Sequence, residues 1–208
     1  MTTLTTYQIY DLLNRPHPLW LVRIDFSDAN LLWVDLSECN LNWANMTKAD
    51  MNWVNLRKAS LIKANLTMAN LFEAHLSMAA MNEANFTRAN LTRADLSKAD
   101  LIEAILVEAN LNRANLSKAN LNRANLNGTS MIRADLSKAS IVNANLSGAD
   151  LEMANLFEAN LTGTNLKGVN LTGADLTAAN LFKTDITDAE LKDADLTDTI
   201  MPDGSKHI

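Results

Sequence analysis

The sequence predicts an all-β solenoid, a chain wound into stacked coils, and three observations predict it. The first is a five-residue pattern without insertion or deletion. From Ile24 to Thr199 every position of the form 5n+4 is Ala, Val, Thr, Cys or Ile, and 35 consecutive positions of the form 5n+1, Phe26 to Leu196, are Leu, Met, Phe or Ile. The second is the residue between those two slots, usually Asn or Asp, so that the unit reads A(N/D)LXX. The third is an echo at twenty residues: RADLSKA at 93–99 returns as RANLSKA at 113–119 and as RADLSKA at 133–139.

A period of five fits neither regular structure unaided. On a helix it advances the direction by about 140° beyond a full turn, so the leucines would spiral and form no stripe. In a strand the small residue and the large one two later share a face, but the next small residue, three later, would face outward. The chain therefore bends once per unit. Repeated bends with both apolar slots inside wrap it into a coil, and stacked coils pair along the axis at ~4.7–4.9 Å. Four units per turn put Arg93, Arg113 and Arg133 in one column and Lys98, Lys118 and Lys138 in another, which is what the echo at twenty expresses.

With that unit repeated over residues 24–200, the sequence resembles the pentapeptide-repeat family. The resemblance implies a right-handed quadrilateral β-helix, the large residue at the centre of each side, the small one also inside, and the other three outside. Its 35 units make almost nine coils and a rod roughly 40 Å long. The expected organisation is a cap over 1–23, the β-helix over 24–200 and a tail or second cap over 201–208.

The ends carry the features a solenoid needs where strand edges would otherwise lie open. Thr5 and Thr6 suit a helix N-cap, Leu4, Tyr7, Ile9, Tyr10, Leu12 and Leu13 supply apolar surface, and the chain turns at Asn14 before Pro16. This predicts a short amphipathic capping helix over the first coil. The tail TIMPDGSKHI, with a Pro-Asp-Gly turn and Ile200, Met201 and Ile208, resembles terminal segments of cyanobacterial members and is expected to close the other end.

Composition agrees with a repeat. The chain is 48% apolar, mostly Leu and Ala, and its three prolines, Pro16, Pro18 and Pro202, lie near the ends. The single cysteine, Cys39, occupies a small-residue slot and reads as buried filler, unable to form an internal disulfide. No charged start precedes an apolar run, and no stretch approaches ~18 apolar residues, so neither a signal peptide nor a membrane span is expected and the cytoplasm is the expected location.

No catalytic constellation is legible. His17, His75 and His207 fall in the cap, on an outer ladder and in the tail, without metal-ligand spacing. Gly128, Gly148, Gly163, Gly168 and Gly173 all occupy the last slot of a unit, where the chain bends, and so read as structural. Ser77, Ser97, Ser117 and Ser137 form a plain polar ladder. A narrow, filled core offers no cleft, so no enzymatic activity, metal or cofactor is expected.

The surface is less uniform. One side runs Leu32, Trp33, Trp53 and Phe72, then Glu73, Arg93, Arg113 and Arg133, whereas Trp43 falls on the opposite side. Exposed aromatics beside arginine are features of partner surfaces; the alternative is that the N-terminal cap or a second copy covers them. Net charge is −1 over residues 1–80, +2 over 81–140 and −7 over 141–208.

The expected role is therefore a non-enzymatic interaction or scaffold protein, a monomer or weak homodimer, offering a rigid surface to a protein partner. The resemblance implies an alternative, since some members mimic DNA to occupy a type II topoisomerase such as gyrase. A slightly basic middle, and the lack of a loop insertion or an extended apolar C-terminal segment, count against it. Direct nucleic-acid binding is not expected at a net charge of −6.

Overall fold

The computed structural model describes residues 6–16 and 18–208. Each 5n residue from Trp20 to Asn180 pairs in parallel with the residue twenty later, from Trp20↔Asn40 to Asn180↔Ile200. Four sides thus close one coil, as the echo predicts. The register extends to Trp20, one unit earlier than the repeat pattern shows in sequence.

In a central unit with Asn or Asp before the large slot every amide has a fixed destination, shown by residues 116–120. Leu116 and Lys118 donate to the carbonyls of Asp135 and Ser137 in the next coil, at 2.6 and 2.9 Å, and Asn120 donates to Ala99 in the previous one at 2.9 Å. Ala119 closes the turn onto the Leu116 carbonyl at 2.9 Å. The remaining amide, Ser117, donates to the Asn115 side chain at 3.0 Å. That last bond explains the Asn/Asp slot: its short carboxyl or amide oxygen reaches the amide two residues on.

Where the slot holds Ser60, Ser130 or Ser140, a different residue substitutes. Asn42, Asn112 and Asn122, eighteen residues earlier in the coil below, accept from Ile62, Ile132 and Val142 at 2.9, 2.8 and 2.9 Å. Each also accepts the serine hydroxyl at 2.7 Å. These outward asparagines are clamps between coils.

The bend has a conformational cost. Every 5n+3 residue from Arg23 to Asp198 has positive φ, 53–61° where it is not glycine. Left-handed backbone costs an L-residue roughly 1–2 kcal/mol, and it persists because the same residue's amide is held by the next coil in all but the terminal units.

The large slots form a continuous core: Leu31, Leu36 and most that follow are fully buried as far as Leu181. Four threonines occupy small slots, and Thr129, Thr164, Thr184 and Thr199 each donate their hydroxyl to a backbone carbonyl at 2.5–2.8 Å. Cys39 is fully buried, receives the Leu19 amide at 3.2 Å, and its thiol is pushed up by burial.

Helix α1, Thr6–Leu13, packs Ile9 into this core, with Leu12 and Leu13 partly buried against it. Tyr7 and Tyr10, expected on the apolar face, point away instead and are 79% and 69% exposed. The helix ends where Asn14 donates both its backbone and its side-chain N–H to Tyr10. Leu4, Thr5 and His17 lie outside the described residues, as does the side chain of Thr6.

At the other end the tail folds back over one side only. Ile200 and Lys206 form an antiparallel bridge, His207 donates to Thr199, and Lys206 pairs with Asp198 at 2.6 Å. Ile208 is fully exposed, and Ile186, Leu191, Leu196 and Met201 remain half-buried. The expected closure is thus partial.

Candidate interaction surface

The 5n+3 residue of each unit sits at a corner of the coil, with its neighbours twenty residues away directly above and below. At one corner this stacks Trp33, Trp53, Glu73, Arg93, Arg113 and Arg133. The Trp33 and Trp53 rings are parallel, 4.6 Å between centroids with a 4° interplanar angle, and Phe72 meets Trp53 edge-on at 5.6 Å. Trp53 Nε1 donates to Glu73 Oε2 at 2.9 Å, and Arg93 donates to Glu73 Oε1 at 3.0 Å. Glu73 therefore ties the aromatic pair to the arginines, and the bonds from Trp53 and then Arg93 hold its carboxyl below the usual range.

α1 does not cover this cluster. Trp33 is 66% exposed and Leu32 is exposed beside it. The helix lies instead beside Ile24 at the coil's end, where Tyr7, Asp11, Leu12 and Arg15 line a recess with it. Further up the corner, Arg133 donates to Met153 Sδ at 3.5 Å, while Arg113 makes no ion pair among the described residues.

Trp43 lies on the opposite side, 48% exposed, with the Arg23 guanidinium 5.8 Å above its ring. Trp20 is more exposed still, at 81%. It precedes Ile24, where the repeat pattern becomes legible in the sequence, and only its place in the 5n frame, one unit earlier, marks it as part of the coil.

The titratable groups serve the turns. Asp25 is held below the usual carboxylate range by the Ser27 hydroxyl and amide, Asp185 by the Thr187 hydroxyl and amide, Asp195 by the Thr197 amide, and Asp203 by the Ser205 hydroxyl. His75 lines a shallow recess with Trp53, Glu73, Arg93 and Asp95, and His207 lies in the tail. Among the described residues no group of three His, Cys, Asp or Glu side chains could hold a metal, and no helix is long and apolar enough to cross a membrane.

A coil of four sides with the large apolar 5n+1 side chain of each side turned inward defines a repeat solenoid. The family model for pentapeptide repeats matches in 8 copies, over residues 24–61, 49–88, 69–106, 114–152 and 154–189. The chain belongs to the pentapeptide-repeat family, and its fold is that family's right-handed β-helix. Among solved structures it is similar to HetL, a pentapeptide-repeat protein involved in heterocyst differentiation regulation in the cyanobacterium Nostoc sp. strain PCC 7120. The two are 35% identical over 98% of this chain and 100% of that one, with a TM-score of 0.56. Rfr23 from the cyanobacterium Cyanothece 51142 is 35% identical over 49% of this chain and 63% of its own, with a TM-score of 0.25. QnrB1, a plasmid-mediated fluoroquinolone resistance protein, is 15% identical over 85% and 90%, with a TM-score of 0.47. No curated protein matches the chain.

Proposed function

We propose that the protein is a non-enzymatic interaction protein whose rigid coil presents the Trp33–Arg133 corner to a protein partner. The observation that carries this reading is the exposed Trp33–Trp53 stack, linked through Glu73 to Arg93. Trp and Arg dominate the energetic centres of protein interfaces, and a stack held by the scaffold loses little entropy on binding. The relation to HetL, a protein of differentiation regulation at 35% identity, supports a regulatory setting.

The test is affinity capture from the native host with wild type and the Trp33→Ser/Trp53→Ser variant side by side. A stoichiometric partner held by wild type and lost in the variant is the expected result. A partner held equally by both would move the site elsewhere, and none at all would end the reading. DNA mimicry is opposed by the basic middle coils; purified gyrase supercoiling should be unchanged by excess protein, and inhibition would revive that alternative.

A further inference from the structure

We propose that the side bounded by Arg93, Arg113 and Arg133 on one corner and Lys98, Lys118 and Lys138 on the next seats an acidic helix of the partner, laid along the rod axis with its apolar end on the Trp33–Trp53 stack. The proposal rests on the interaction reading above and names the partner's chemistry.

Charge distribution is the first support. Elsewhere on the coil, cations are zipped to acids one coil away: Lys58–Glu38 and Lys63–Glu83 at 3.3 Å, Arg88–Glu108 at 2.6 Å and Arg123–Glu103 at 3.2 Å. Here cation stands on cation. Ion pairs occur only at the margins, Arg93–Glu73 at 3.0 Å and Lys138–Glu158 at 3.4 Å, and at the centre Lys98, Arg113 and Lys118 have no ion pair among the described residues.

The acids between the two columns are already engaged by the scaffold. Asp95 accepts the Ser97 amide at 3.0 Å and Asn115 Nδ2 at 3.1 Å. Asp135 accepts the Ser137 amide at 2.9 Å and Asn155 Nδ2 at 3.1 Å. Lys98, Arg113 and Lys118 therefore face outward without an ion pair among the described residues, their mutual repulsion only partly offset by Asp95 and Asp135, a state that an anionic occupant stabilises.

Spacing selects the occupant. Successive cations rise by ~4.8 Å, the coil spacing. Acids three or four apart on a helix rise by about 4.5–6 Å, so a helix with an acidic stripe climbs both columns in step. From Trp33 to Arg133 is five coils, roughly 24 Å, the length of about 16 helical residues. A nucleic-acid duplex is wider than one side and would meet Glu83, Glu103 and Glu108 on the other two corners of these coils.

The test uses the full chain and a fluorescein-labelled, alanine-based helix of about 18 residues, with Glu at every third or fourth position and two leucines at one end. Fluorescence anisotropy is expected to show binding that weakens with salt. Binding should fall about tenfold or more in Lys98→Glu/Arg113→Glu/Lys118→Glu, on the scale of three lost surface pairs, and less in the corresponding triple Gln variant. The three side chains are exposed corners, so circular dichroism of both variants should match wild type. No binding by wild type, equal binding by the charge-reversed variant, equal binding of a Lys-for-Glu peptide, or tighter binding of a duplex oligonucleotide would each overturn the proposal. If the Trp33/Trp53-dependent partner is still captured by the charge-reversed variant, the strip fails while the interaction reading stands.

Discussion

The coils at residues 93–138 and those at 186–200 are built from the same unit and are held very differently. In the middle, Leu96, Leu116 and Leu136 are fully buried, and every 5n+1 and 5n+3 amide has an acceptor in the next coil. Toward the end, Ile186, Leu191 and Leu196 are half-buried. The amides of Ile186, Asp188, Leu191, Asp193, Leu196 and Asp198 meet no acceptor among the described residues. A unit therefore takes two of its backbone bonds and much of its burial from the coil above, so support grows with neighbours on both sides. The basic strip lies on the well-supported coils and most of the acidic excess on the terminal ones. A well-supported basic strip and a less supported acidic end thus arise from one repeat.

The largest expected effect tests that contrast at the core. Leu116→Ala should cost roughly 2–5 kcal/mol, whereas Leu196→Ala, at a site only partly buried, should cost about 1 kcal/mol; equal losses in thermal unfolding would erase the difference. At the corners, Ala at Gly163 would meet Asn143 Oδ1, while Ala at Gly148 has open space. Both carry the left-handed φ penalty of about 1 kcal/mol, so Gly163→Ala should be the worse of the two. Asn112→Ala should cost about 1 kcal/mol by freeing the Ile132 amide. Ser130→Asn should restore it by supplying an acceptor two residues before that amide, and failure to rescue would contradict the clamp.

Acid should act on the two regions unequally. Asp185, Asp195 and Asp203 are all held below the usual carboxylate range. Their contribution is therefore complete above an ordinary carboxylate pKa, about 4, and is lost as pH falls through the lowered folded values. Amide exchange should accelerate over 185–205 before it does over 93–138; uniform acceleration would break the comparison. Ser117→Ala, on an outer, half-buried ladder, should change stability by no more than about 0.5 kcal/mol.

The inside of this molecule was legible because two slots repeat without interruption and the coil count is written in RADLSKA. The same count placed Trp33 over Trp53 and Trp43 across the coil. What the repeat could not show was how outward residues partner one another. Asn42, Asn112 and Asn122 look like ordinary ladder residues, and only their spacing of eighteen from Ser60, Ser130 and Ser140 marks the bond between coils. Glu73 likewise reads as a break in the arginine column, yet it joins that column to the aromatics, since a carboxylate has two oxygens to offer. The five glycines of the last slot mark where the chain bends, and 31 other residues adopt the same φ there. Inter-coil bonding decides that geometry, beyond the reach of local propensity.

The most direct test compares thermal unfolding and partner capture for Leu116→Ala and Trp33→Ser/Trp53→Ser. For a chain of this size each kcal/mol moves Tm by about 2–4 °C, and loss of an exposed aromatic stack is worth about 0.5–1.5 kcal/mol. The double variant should therefore melt close to wild type while losing its partner, and Leu116→Ala should melt well below it. A double variant that loses as much Tm as Leu116→Ala would make the tryptophans part of the structure and contradict their assignment as a surface for binding.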